Sequence, residues 1–350
     1  MSKRKLLKAG LGVMAAPWLV GRSFAQPAKP AQIVVNDSGG ATQAANRKTF
    51  YTAFEKQYGI KIVNTSPVDL GKLRAMVQSG NVEWCVTEIA GPDALLAERS
   101  GLLEPLDLSV IDLSHFPPHL QKRKYVFPKS AYSTVMGYRT DMWKEGSGPK
   151  TWADFWDQAR FPGPRTMQNT AFEQLEFALL ADGVPVDKLY PIDVDRAFRK
   201  MDQIKKFVTV WWTTGAQSAQ LLVDKEAVIG TAWNGRYYNL MKEGAPIAIE
   251  WNQGAIKESA FAIPKGAKDA YWGQRVLATM ADPKLEGQYA DIIGYPGLNL
   301  EATKYTDPKM VPNLPTSPVH LPKQYWVNLE WWADNGPAIQ ERWARWLLQK

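Results

Sequence analysis

Residues 227–236 read Ala-Val-Ile-Gly-Thr-Ala-Trp-Asn-Gly-Arg, and the chain continues through Pro246-Ile-Ala-Ile-Glu-Trp-Asn252 to Ser259-Ala-Phe-Ala-Ile-Pro264. An apolar run reaches Asn234-Gly235 and a β-branched run restarts after Gly244-Ala-Pro246. This predicts strand, glycine turn, short helix, strand, loop and strand. In an open α/β sheet, turns at the carboxyl ends of strands are where ligands sit. Trp233 and Arg236 flank such a turn and are candidate contacts.

Towards the N-terminus, Gln32-Ile-Val-Val35 is a short strand running into Asn36-Asp-Ser-Gly-Gly40, followed by a helix that buries Phe50, Ala53 and Phe54 and stops at Gly59. A glycine-rich turn before a helix gathers backbone N–H groups and a helix dipole, which suits a carboxylate or phosphate. Asp37, Ser38 and Gly39 enter the candidate site on that ground. Lys61-Ile-Val63 is a second strand, Val68 to Gln78 a helix, and Trp84 to Ile89 a third strand. Pro92 then opens a helix closed by Gly101, with Leu95 and Leu96 facing inward. This alternation implies a parallel sheet with right-handed crossovers and brings Glu88 to the same edge as Asp37.

Tyr132 to Tyr138 is strand-like and leads through Gly146-Ser-Gly-Pro149 to Thr151-Trp-Ala-Asp154, a capping box that starts a second lobe. Helices follow over Phe172 to Ala181, along Val194, Phe198, Met201 and Ile204, and over Gly215 to Asp224. Phe261 to Pro264 returns the chain to the first lobe, where a helix from Ala270 turns Val276, Leu277 and Met280 inward. The Pro-rich run Pro308 to Pro322 wraps back to terminal helices whose Trp326, Trp331, Trp332, Trp343 and Trp346 recur at helical spacing and read as packing. The expected organisation is lobe I from 26–137 plus 264–305 and lobe II from 138–263 plus 306–350. Two interleaved α/β lobes make a hinged clamshell with a cleft that closes on a solute.

Lys3-Arg-Lys5, Lys8, the apolar stretch Ala9 to Val20 and Ser23-Phe-Ala25 have the order of an export signal cleaved near Ala25. Ser2-Lys-Arg-Lys-Leu-Leu-Lys8 resembles a twin-arginine signal with Lys3 at the usual first arginine. Residues 1–25 hold five of the 42 basic side chains and no acid, so the net charge of +7 falls to +2, 37 basic against 35 acidic, for the rest. Nothing there points to nucleic acid or an anionic membrane surface. No later apolar segment is long enough to span a bilayer. The remaining 325 of 350 residues exceed the ~250–300 at which single cores divide. Cys85, the one cysteine, sits in the apolar run Val82 to Ile89 and reads as packing.

The block Trp233-Asn234-Gly235 with its following strands, together with Ile293-Gly-Tyr-Pro296 and Asn299-Leu-Glu-Ala302, resembles the spermidine/putrescine-binding proteins, the solute receptors of ABC importers. The resemblance implies the two-lobed type II periplasmic-binding-protein fold, two α/β domains joined by hinge strands. It implies a periplasmic monomer without cofactor or metal that hands a small-molecule solute to an inner-membrane ABC permease. It also implies a cleft in which aromatic faces and carboxylates hold ammonium groups, with Trp233 at the aromatic position and Glu173 at an acidic one. The chain departs from that pattern at Lys257 and Ser259, where an aromatic and an aspartate are usual, at Thr170 in place of a second acid, and at Gly39-Gly40. Lys257, the Ser38-Gly39-Gly40 turn and the hydroxyls of Ser133, Thr170 and Ser259 suit a carboxylate or an amino acid-like zwitterion instead, its amine on Glu173 or Asp37, with Tyr132 as a further contact.

Two other readings are carried. Tyr237-Tyr238 resembles the tyrosine pair of ferric-ion-binding receptors, shifted by one residue, but only His115, His119 and His320 are present as histidine partners. An exported hydrolase or sensor partner is the other. The chain holds no Gly-x-Ser-x-Gly, no His-Glu-x-x-His and no phosphate loop.

Overall fold

The computed structural model describes residues 27–143 and 146–349. Residues 1–25, the expected export signal, lie outside these. The strands are, in chain order, β1 (Gln32–Asn36), β2 (Lys61–Thr65), β3 (Val86–Ala90), β4 (Val126–Arg139), β5 (Arg165–Gln168), β6 (Val208–Trp212), β7 (Ile229–Trp233), β8 (Ile247–Ala262) and β9 (Tyr325–Trp326). They hydrogen-bond in the order β2-β1-β3-β8-β4-β7-β5-β6, with β9 added to β8. β2, β1 and β3 are parallel in one lobe and β6, β5 and β7 in the other. Helices connect the parallel strands, as the alternating pattern requires.

Each parallel trio gains one antiparallel neighbour, β8 beside β3 and β4 beside β7. β4 and β8 also pair with each other, so the lobes share one two-stranded ladder. It runs from Val126 opposite Ala262 to Thr134 opposite Ala255, then resumes from Met136 opposite Glu250 to Arg139 opposite Ile247. The surplus residues Trp251 to Gly254 bulge, with Gln253 at a φ of 59°. The sequence pattern predicts two strands and a loop here. The structure makes one bulged strand of 16 residues, because β4 templates both halves and leaves the extra residues no freedom to form a loop.

The two largest apolar cores both draw on the ladder. One packs Val35, Phe50, Val86, Ala131, Ile256 and Phe261; the other packs Met136, Trp152, Met167, Phe177, Ala255 and Trp343. On the ladder, Phe127, Ala131, Ile256 and Phe261 belong to the first core and Met136, Tyr138 and Ala255 to the second. A strand that traverses both lobes carries no punctuation where it crosses. Cys85 is buried in the first core, as expected, and its thiol meets the Asp269 carbonyl at 3.3 Å. The expected terminal helices are one helix, Leu329–Leu348, with Pro337 inside it. In the helix Pro92–Arg99 it is Ala94 and Ala97 that are buried, while Leu95 and Leu96 are half-buried.

Asn234 ties the quoted turn to the ladder. Its Oδ1 accepts from the Ser133 amide at 2.9 Å and its Nδ2 donates to the Gly294 carbonyl at 2.9 Å. A Cβ on the adjacent Gly235 would lie 2.4 Å from the Ile293 carbonyl oxygen and 2.6 Å from the Tyr295 ring. Backbone cannot swing aside as a flexible side chain can. Gly235→Ala is therefore expected to destabilise the fold by roughly 1–3 kcal/mol, as overpacked sites do. Urea unfolding of the variant beside the parent chain measures this, and equal midpoints would refute it.

Candidate ligand cleft between the lobes

The carboxyl ends of β1 and β3 in one lobe face those of β5 and β7 in the other across a cavity of about 590 Å³. That volume falls in the range of small-molecule sites. Ser38 follows β1, Pro92 and Asp93 follow β3, Gln168 ends β5 and Trp233 ends β7, and all five line the space. The shared ladder supplies the floor. Tyr132 is opposite Lys257 and Ser130 is opposite Ser259, and alternation along each strand turns these four side chains to one face.

Glu173 and Lys257 meet there as an ion pair from which water is nearly excluded, with 0% and 3% of the side chains exposed. The Lys257 ammonium also donates to Thr134 Oγ1 at 2.8 Å and lies 4.5 Å from the centre of the Tyr132 ring. Burial raises the Glu173 carboxyl and lowers the Lys257 ammonium, and each charge partly restores the other. Glu173 stands at a φ of 67°, a backbone strain of about 1–3 kcal/mol. The expected arrangement had Lys257 free for a ligand carboxylate and Glu173 free for a ligand amine. Both are instead engaged with each other.

The glycine turn after β1 also differs from expectation. Its Ser38 amide donates to Glu88 Oε2 at 2.7 Å and its Gly39 amide to Asp37 Oδ1 at 3.1 Å, so the protein's own carboxylates occupy the anion-seeking N–H groups. Ser259 Oγ donates to the other Glu88 oxygen at 2.9 Å. Asp37 is fully buried, accepts from Tyr51 Oη at 2.9 Å and Gln43 Nε2 at 2.8 Å, and has its carboxyl pushed up by burial and then by Glu88. It positions the turn and does not line the cavity.

Of the twelve sequence candidates, Ser38, Glu88, Tyr132, Thr170, Glu173, Trp233, Lys257 and Ser259 line the cavity, and Asp37, Gly39, Ser133 and Arg236 do not. Ser133 is buried and its hydroxyl contacts Gln324. Arg236 lies just behind the wall, 7% exposed, with its guanidinium carbon 5.7 Å from the Trp233 ring centre and Nη2 donating to the lining residue Thr42 at 3.3 Å. Its Nε has no hydrogen-bond partner, and among the described residues no carboxylate pairs with it.

Sequence reasoning missed Phe172, Tyr289, Tyr295, Trp332 and Gln340, which also line the cavity. Tyr295 belongs to the quoted Ile293-Gly-Tyr-Pro296 motif, which was the available signal. Helical spacing marked Trp332 as packing only. The tyrosine pair divides: Tyr237 is buried in a core beside Val135 and Ala232, Tyr238 packs on Ala290 and Met310, and neither lines the cavity. The pair therefore offers no two phenolates to this cavity. Among the described residues no group of three His, Cys, Asp or Glu is placed for a metal.

The profile of the bacterial extracellular solute-binding proteins matches residues 49–316. This chain belongs to that family. It is 34% identical over 338 residues to a γ-aminobutyric acid-binding protein of Pseudomonas aeruginosa, covering 94% of this chain and 95% of the relative. It is 23% identical over 298 residues to the spermidine/putrescine-binding periplasmic protein of Escherichia coli, covering 81% and 83%. A solved γ-aminobutyrate receptor structure superposes with a TM-score of 0.83 at 37% identity, over 91% of this chain and 98% of that one. The two-lobed architecture of ABC-transporter binding proteins and the capture of a small polar organic solute for import are thus those of the family, and the polyamine-binder resemblance holds. No helix among the described residues is long and apolar enough to cross a membrane.

In this solute-binding protein one wall of the cleft comes from the terminal helix Leu329–Leu348. Arg99, on the lobe I helix Pro92–Arg99, bridges to Glu330 and Asp334 of that helix at 2.5 Å each, beside the cavity. Trp332 Nε1 and Tyr190 Oη both donate to Glu176 Oε1 at 2.6 Å, while Glu176 Oε2 has no partner. Burial raises the Glu176 carboxyl from 4.5 to about 7. A raised acid binds its proton more tightly when folded, so stability falls as pH rises from 4.5 to about 7 and stays low above. Glu176→Gln keeps an acceptor for both donors and removes the titration. The wild-type minus variant stability is expected to drop by about 3 kcal/mol between pH 4.5 and 8. Denaturant unfolding of both proteins across that range checks it, and parallel profiles would refute it.

Proposed function

We propose that the cleft captures a small amino acid with one ammonium and one carboxylate at opposite ends of a short chain, of the γ-aminobutyrate kind, and delivers it to an inner-membrane ABC permease. Arg236 carries the reading: its guanidinium lies just behind the cavity wall, bonded to the lining residue Thr42 and with Nε unpartnered, so a solute carboxylate seated beside Thr42 would lie in its field and offset part of the cost of burying that charge. The unpartnered Tyr295 hydroxyl and Thr42 are the adjoining hydrogen-bond partners. Glu88 accepts one bond on each oxygen and keeps lone pairs for an ammonium, and Trp233, which lines the cavity and packs edge-to-face with Tyr132 at 6.0 Å between ring centres, adds an aromatic surface for cation–π attraction. The relatives that bind γ-aminobutyric acid support the same charge pattern.

In this reading residues 1–25 direct export and are removed near Ala25, and the protein works in the periplasm as a monomer. The lobes hinge where the β4–β8 ladder changes register, and closure desolvates the solute.

Saturating γ-aminobutyrate, at about 100 times its dissociation constant, is expected to add about 2.7 kcal/mol of stability, seen as a raised melting temperature. Arg236→Gln should weaken its binding by about 2–5 kcal/mol. Calorimetry that finds putrescine preferred over γ-aminobutyrate, or unchanged affinity in the variant, would overturn the reading.

A further inference from the structure

The Lys257 ammonium meets a carboxylate, a hydroxyl and an aromatic ring where the ladder floors the cavity. A cation of this kind needs an anion, a hydroxyl acceptor and a π face in a dry pocket. Glu173 supplies the carboxylate, Thr134 Oγ1 the acceptor at 2.8 Å, and Tyr132 the ring at 4.5 Å. Lys257, Glu173 and Tyr132 all line the solute cavity, so the site opens onto it and is not sealed within a core. The strained backbone at Glu173, φ 67°, aims that carboxylate inward at a position where an ordinary helix start would not need it.

We infer that Lys257 acts as a built-in ligand: its butylammonium side chain occupies an alkylammonium subsite of Glu173, Thr134 and Tyr132 and thereby restricts the solute to a single ammonium group. The pair is internally neutral, so a second amine on the solute finds no free carboxylate there and meets the Lys257 charge at close range. Removing the side chain beyond Cβ leaves a space shaped for n-propylammonium, entered from the solute cavity. The selectivity consequence rests on the reading of the cavity as a solute site. The subsite itself does not, since it is tested without any solute.

Lys257→Ala is expected to be destabilised by its unpaired Glu173 and to be rescued by n-propylammonium chloride, with a melting temperature that rises with concentration and saturates. Tetramethylammonium chloride at equal ionic strength, too bulky and without N–H donors, should have no such effect. Lys257→Ala/Glu173→Gln, which lacks both charges, should fold and ignore both salts. The single variant should also bind 1,4-diaminobutane at least about tenfold tighter than wild type does. A single variant indifferent to propylammonium while the double variant folds overturns the inference, as does equal rescue by both salts. If neither variant folds, the native protein decides: proton NMR should show a slowly exchanging Lys257 ammonium signal, and a freely exchanging one overturns the subsite. Failure of wild type to bind γ-aminobutyrate would sink the solute reading alone.

Discussion

The two-stranded ladder of β4 and β8 is the constraint on which the rest of the molecule depends. Buried backbone groups must be paired, and a pair of strands long enough to cross both lobes satisfies them along its length apart from a register shift at Lys129 and the bulge Trp251 to Gly254. The same ladder fixes the cleft floor. Because successive strand residues alternate in direction, Tyr132, Lys257, Ser130 and Ser259 arrive together on the cavity face without any loop having to be ordered. The lobes can differ in content and still share one surface whose spacing is set by strand geometry.

Charge is arranged around that floor so that little of it is left for water. Glu173 is matched by Lys257, Glu88 by an amide and a hydroxyl, and Asp37 by a tyrosine, a glutamine and an amide. Removing ions from water is expensive unless partners replace the lost hydration, and here the partners come from elements far apart in the chain. Arg236 differs in being a cation with no carboxylate opposite it among the described residues, its Nε unpartnered beside Thr42 and Trp233. The buried acids of the site thus face cations or hydrogen-bond donors of the protein itself, and the proposed carboxylate contact rests on the guanidinium that has none opposite it.

The α/β class, the two lobes and the parallel strands were legible because glycine turns, a capping box at Thr151-Trp-Ala-Asp154 and apolar periodicity are local signals. Trp233 and Glu88 were legible too, since strand ends in such sheets face the ligand. The pairing of Lys257 with Glu173 was not: the two lie 84 positions apart and only the folded register brings them together. Likewise, nothing local announced that Glu88 would consume the Ser38 amide. Trp332 was read as part of a helix's packing face, and whether such a face meets a core or a cavity is decided by what lies opposite.

The bridges from Arg99 to Glu330 and Asp334 join a helix of one lobe to a helix of the other beside the cavity. All three side chains are well exposed, so dissolved ions screen them readily. Separation of the lobes cannot proceed without severing both contacts. If the proposed hinge releases the guest, its dwell time becomes coupled to the salinity of the surrounding fluid, through groups that never touch the guest.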